Sequence, residues 1–240
     1  MNPTIEMVAN SLRDYEDILS AYFVGSYTHN LNPHDIDILL IVNRIDKERF
    51  RIFVETNFSA DDFFFNDDSI SCKVNNIEFD FAFLMLEQLE YRVQLILQNR
   101  LYAVHRNWCV GSWLPEGFIF DVENAQVIFE RDLRAKRSMA RLKAGKDAFK
   151  TNLMGEIRRE ILLKSKLKPG MRYYNSIARS DVYAALMRLI NLQKGWDLTS
   201  FKHMSRAIST TEYVIILDRL METSDEVFQE ECKAVLQQLQ

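Results

Sequence analysis

The chain is poor in the residues that build disulfide or zinc scaffolds. Cys72, Cys109 and Cys232 are odd in number and scattered, with no Cys-x-x-Cys pair among them. That pattern excludes a disulfide framework and a zinc knuckle. His29 and His34 lie close together, but His105 and His203 are distant, and no ligand spacing links the four. No apolar run approaches the ~20 residues that a membrane-spanning helix needs. The first residues carry no basic stretch followed by an apolar core, so no secretory signal is expected. There is no internal repeat and no low-complexity tract. These absences predict a reduced, cytoplasmic protein that does not engage a membrane.

What is present is an ordinary globular composition, 48% hydrophobic and 27% charged over 240 residues, enough for one large domain or two modest ones. The net charge of −4 argues against a dedicated nucleic-acid binder, but the charge is unevenly spread. Between Arg131 and Arg172 basic residues outnumber acidic ones by 14 to 4. That run reads either as a long solvated helix or as a surface for RNA. Aromatic residues do not interleave with it, which argues against single-strand stacking.

The most informative segment runs from Phe23 to Val42. An apolar strand, Tyr22–Val24, ends in Gly25-Ser26, a polar loop follows, and a second strand (Ile36–Val42) is entered through Asp35-Ile36-Asp37. Side chains two apart on a strand share a face, so Asp35 and Asp37 project to the same side. Two carboxylates held together in this way need cations between them. Mg²⁺, a hard ion that takes a few carboxylates plus phosphate oxygens, fits that need. Gly25 allows close backbone approach to a ligand, and Ser26 offers a hydroxyl and an N–H to a phosphate.

This arrangement resembles the nucleotidyltransferase superfamily that includes DNA polymerase β, whose motif is Gly-Ser, a loop, then Asp-x-Asp. The loop here departs from the usual pattern. Asn30 stands near the place of a second Gly, and His34 replaces a Ser before the first Asp. The family's third carboxylate comes from a neighbouring strand. Asp80 matches it, set in the alternating run Ile77–Phe83 on the face opposite Phe79 and Phe81. The resemblance implies that Asp35, Asp37 and Asp80 are catalytic and hold two Mg²⁺ ions during turnover. It also implies that Gly25 and Ser26 bind an NTP, ATP being the first candidate.

Further elements follow from periodicity and punctuation. A helix opens at Pro3-Thr4, with Ile5, Val8, Leu12, Tyr15 and Leu19 in phase. Asp46 caps a helix to about Thr56, and Asn75-Asn76 turns a hairpin between strands near Ile70–Val74 and Ile77–Phe83. The stretch Asp61–Asp68 reads as polar connection, and Leu86–Leu97 as a helix. Short strands are expected near Tyr102–Val104 and Val127–Phe129, with a loop-like segment carrying Gly111, Pro115 and Gly117 between them.

From Asp132 onward the pattern is helical. One helix or a broken pair runs to about Lys166, with Gly145 and Gly155 as break points. Ser180–Gln193 forms the next, capped by Ser180 and stopped by Gly195, and shorter helices follow to Leu239. The expected fold is therefore α+β, with a mixed-sheet catalytic domain over 1–130 and a helical bundle over 131–240.

That layout resembles the aminoglycoside and lincosamide nucleotidyltransferases and their uncharacterised relatives. The likeness extends to Asp181–Asn191 and Phe201-Lys202-His203, where Lys202 matches a lysine that reaches the nucleotide phosphates. It implies transfer of an NMP, AMP from ATP in the first instance, to a hydroxyl of a small molecule such as an antibiotic. A protein side chain, an RNA 3′ end and a non-catalytic nucleotide-binding module are the alternatives.

Overall fold

The computed structural model describes residues 2–28, 35–98, 115–196 and 201–239. The chain divides into two compact units, Met1–Lys146 and Asp147–Gln240.

In the first unit helix α1 (Pro3–Ser11) starts where Asn2 accepts a hydrogen bond from Thr4 N and Pro3 occupies the first turn. A 3₁₀ turn, Leu12–Asp14, ends it, and Tyr15 is already extended. Leu19, expected to continue the helical phase, lies instead in strand β1 (Ile18–Val24), which is buried along its whole length. A strand buried on both faces has no period of its own, so its first residues can be mistaken for a further helical turn.

The sheet has six strands, completed by β2 (Asp35–Val42), β3 (Asp61–Phe65), β4 (Ser69–Val74), β5 (Ile77–Met85) and β6 (Gln126–Glu130), in the order β3-β4-β5-β2-β1-β6. Only the β2–β5 pair is parallel, so the sheet is mixed. Asn75 and Asn76 both take positive φ (51° and 63°), the hairpin geometry expected of them. Strand β3 was expected as connection. It is an edge strand that is mostly exposed, so it lacks the buried face that would give it an alternating pattern.

Helix α2 (Lys47–Phe58) is capped by Asp46 through Arg49 N at 3.0 Å. With α1 it covers one face of the sheet. Ile5, Val8, Phe50 and Val54 pack there with Ile36, Ile38, Leu40, Phe79 and Phe81. The other face, which carries Asp35, Asp37 and Asp80, receives α3 (Leu86–Leu97), α4 (Pro115–Asn124) and α5 (Leu133–Ala144). Helix α4 stands where a loop was expected. Pro115 is its first residue and Gly117 falls in its first turn, so two apparent loop signals are helix-start residues. Phe118, Ile119, Phe120 and Val122 are buried. The strand expected near Tyr102–Val104 lies outside the described residues.

The boundary between units falls after Lys146 rather than at 130/131, because α5 packs on α3 and α4. Arg134 of α5 pairs with Glu90 of α3, and Lys146 with Glu123 of α4.

The second unit is built from α6 (Lys146–Lys164), α7 (Arg172–Lys194), α8 (Phe201–Ile208), α9 (Tyr213–Glu222) and α10 (Phe228–Gln238). Gly145 marks the break before α6, whereas Gly155 continues the helix. Ser180 does not cap. It lies inside α7 and donates to Ser176 O at 3.1 Å, while Gly195 ends the helix in the left-handed region. Helix α7 starts eight residues earlier than the hydrophobic pattern suggests, since it runs from Arg172. Its first turns expose Tyr173 and Ile177, and Asn175 ties it down through Lys168 and Asp225. Among the described residues no helix is long and apolar enough to cross a membrane.

Candidate metal centre

Strand β1 delivers Val24 opposite Asp37 of β2, and the chain then turns through a 3₁₀ segment, Gly25–Thr28. Thr28 Oγ1 donates to Gly25 O at 2.8 Å and closes that turn. The ring of Tyr27 packs on Phe23 with centroids 4.7 Å apart. Gly25 adopts φ +63°, and a Cβ there would stand 2.1 Å from Asp37 Oδ2. Backbone conformation and contact thus both require glycine.

Asp37 lies directly opposite Asp80 in the parallel β2–β5 register. One carboxylate oxygen from each of Asp35, Asp37 and Asp80 lies within 4.8 Å of the others, and all three side chains are half-buried. Alternation explains the grouping. Ile36, Ile38, Phe79 and Phe81 fill the core on one side of the sheet, which leaves the three acids together on the other.

The electrostatics are one-sided. The Ser26 N–H lies toward Asp37, and Ser26 Oγ donates to Asp35 Oδ1 at a long 3.4 Å. Among the described residues no Lys or Arg forms an ion pair with any of the three acids. Burial first, then the charges of Asp35 and Asp80, together push the Asp37 carboxyl up to about 7 against the Ser26 N–H. An all-oxygen carboxylate set with no basic partner fits a hard divalent cation such as Mg²⁺ or Mn²⁺.

The structure therefore brings together the predicted Gly25, Ser26, Asp35, Asp37 and Asp80. Lys202 falls in α8, and its side chain lies outside the described residues, as do Asn30 and His34. Sequence reasoning missed Asp121. It sits on α4, 1% exposed, and neither of its oxygens has a hydrogen-bond partner. Burial first, then the charge of Asp37, together push it up to about 7. The Gly25 N–H lies toward it and opposes the shift without reaching hydrogen-bond geometry. The available signal was a lone acid inside the apolar run Phe118-Ile119-Phe120-Asp121-Val122.

No family model matches the chain, and no curated protein matches it. Among solved structures the chain is similar to a nucleotidyltransferase-like protein from Exiguobacterium sibiricum 255-15. The identity is 14% and the TM-score 0.45, with 98% of this chain and 73% of that chain covered.

Proposed function

We propose that the protein is a divalent-metal-dependent nucleotidyltransferase that moves an NMP from an NTP to an acceptor hydroxyl. The observation that carries this reading is the cluster of Asp35, Asp37 and Asp80, held on two parallel strands in register beside the Gly25-Ser26 turn. In such a reaction the acceptor oxygen attacks the α-phosphorus in line, and pyrophosphate leaves. Bound divalent ions supply charge neutralisation at the attacking and leaving oxygens.

The chain's own groups have distinct tasks. Asp35 and Asp37 project from the start of β2 and would hold a divalent ion. Asp80, from β5, completes the ligand set, and its carboxylate is placed to accept the proton of the acceptor hydroxyl. The Ser26 hydroxyl, only weakly engaged with Asp35, is free to turn toward a phosphate oxygen. Gly25 keeps the backbone close enough for that contact. Lys202 enters this reading from sequence resemblance alone, as a cation for the leaving pyrophosphate. ATP as donor and a small-molecule hydroxyl as acceptor rest on the same resemblance.

The test is transfer of label from α-labelled NTPs to a panel of hydroxylated acceptors in Mg²⁺, with pyrophosphate release followed in parallel. Wild-type protein is expected to transfer label, and Asp35→Asn and Asp37→Asn to abolish transfer while keeping the native circular dichroism. Turnover that survives in either folded variant overturns the assignment.

A further inference from the structure

Three carboxylates account for the reading above, and Asp121 is left over. Everything local disfavours an acid at this position. It lies in the last turn of α4, where the helix dipole repels negative charge, so it caps nothing. Both its oxygens are sealed from solvent and unpartnered. The charged neighbour that acts on it is Asp37, of the same sign. A buried carboxylate without a partner is among the costlier features a fold can carry. An apolar residue would suit the surrounding Phe118, Phe120 and Val122 far better.

For the charged form the cost is compensated only if a cation stands nearby, and no basic side chain of the described residues pairs with Asp121. Among the described residues, the one place that gathers groups for a cation is the Asp35, Asp37 and Asp80 cluster. Helix α4 packs against β1, the strand that ends at Gly25, and this brings the buried Asp121 within electrostatic reach of Asp37 and the Gly25 N–H. We infer that Asp121 is a positioning residue of the metal centre: its buried negative charge raises the affinity of the cluster for a divalent cation, without being a ligand itself. This rests on the proposed function. In a site shielded from water, a fourth negative charge attracts the ion more strongly than it would on the surface. The same charge is unfavourable when the cluster holds no ion. Groups behind the ligands commonly alter metal affinity by about 10- to 100-fold.

The test is Mn²⁺ binding to the full chain by titration calorimetry, paired with thermal unfolding of the metal-free protein. Wild type, Asp121→Asn and Asp35→Asn are compared, and Asp121→Ser supplies a second neutral variant should the amide not pack. The expected result is that the neutral variants are as stable as wild type or more so without metal, yet bind Mn²⁺ on the order of tenfold more weakly. A purely structural residue would do the opposite, lowering stability and leaving the Mn²⁺ Kd unmoved. An unchanged Kd in a folded Asp121 variant overturns this inference and leaves the proposed function standing. Absent Mn²⁺ binding in wild type, or binding that persists in Asp35→Asn, overturns both.

Discussion

Gly25 shows how much one residue decides here. Its φ of +63° and the 2.1 Å approach of Asp37 Oδ2 to a Cβ position leave no room for alanine. Gly25→Ala is expected to cost on the order of 2 kcal/mol or more, and to displace Asp37. Urea denaturation together with Mn²⁺ titration checks both effects, and full metal affinity in the variant would contradict the second. Asp37 and Asp121 make a separate claim about pH. Both are pushed up to about 7 in the folded protein, whereas an unfolded aspartate ionises near 4. Between those values the folded state holds more protons than the unfolded one, so stability falls as pH rises through that window. Metal-free protein is therefore expected to melt higher at about pH 5 than at about pH 8. Asp37→Asn should flatten the slope, and an equal slope in that variant would refute the assignment.

At the scale of elements, the site depends on how firmly β5 is held beside β2. Phe50 of α2 packs edge-on against Phe81, the residue after Asp80 in β5, at 5.1 Å and against Phe83 of the same strand at 5.0 Å. Phe50→Ala is expected to cost about 3–5 kcal/mol. It should also weaken Mn²⁺ binding at temperatures where the chain is still folded, because the strand bearing Asp80 loses its backing. Calorimetric unfolding and metal titration on the same sample check this. The basic run over α5 and α6 is partly answered by local acids. Arg134 meets Glu90, Lys136 meets Glu130, and Lys164 meets Glu160 and Asp181. Exposed pairs like these contribute little individually. They answer three of the fourteen basic residues in that run.

At the scale of the whole molecule, an acidic cluster without basic partners links folding to metal. A ligand that binds only the folded state stabilises it by mass action. Saturating Mg²⁺ or Mn²⁺ at about pH 8 is therefore expected to raise the melting temperature of the full chain by several degrees. The rise should vanish in Asp35→Asn. Differential scanning calorimetry with and without chelator measures this, and a melting temperature indifferent to the ions would count against the metal centre.

Read alone, the sequence determined the β1–turn–β2 run, the hairpin at Asn75-Asn76, and the shared face of Asp35 and Asp37. Those features are local or follow from strand alternation, and alternation is written directly into residue order. The parallel register that sets Asp37 against Asp80 could only be decided by tertiary pairing, because β2 and β5 are separated by α2, β3 and β4. The same holds for α4, whose Pro and Gly signal a loop until its buried face is seen. Asp121 completes the contrast. In the sequence it is one acid among apolar residues, and packing α4 against β1 is what turns it into a buried, unpartnered acid within electrostatic reach of Asp37.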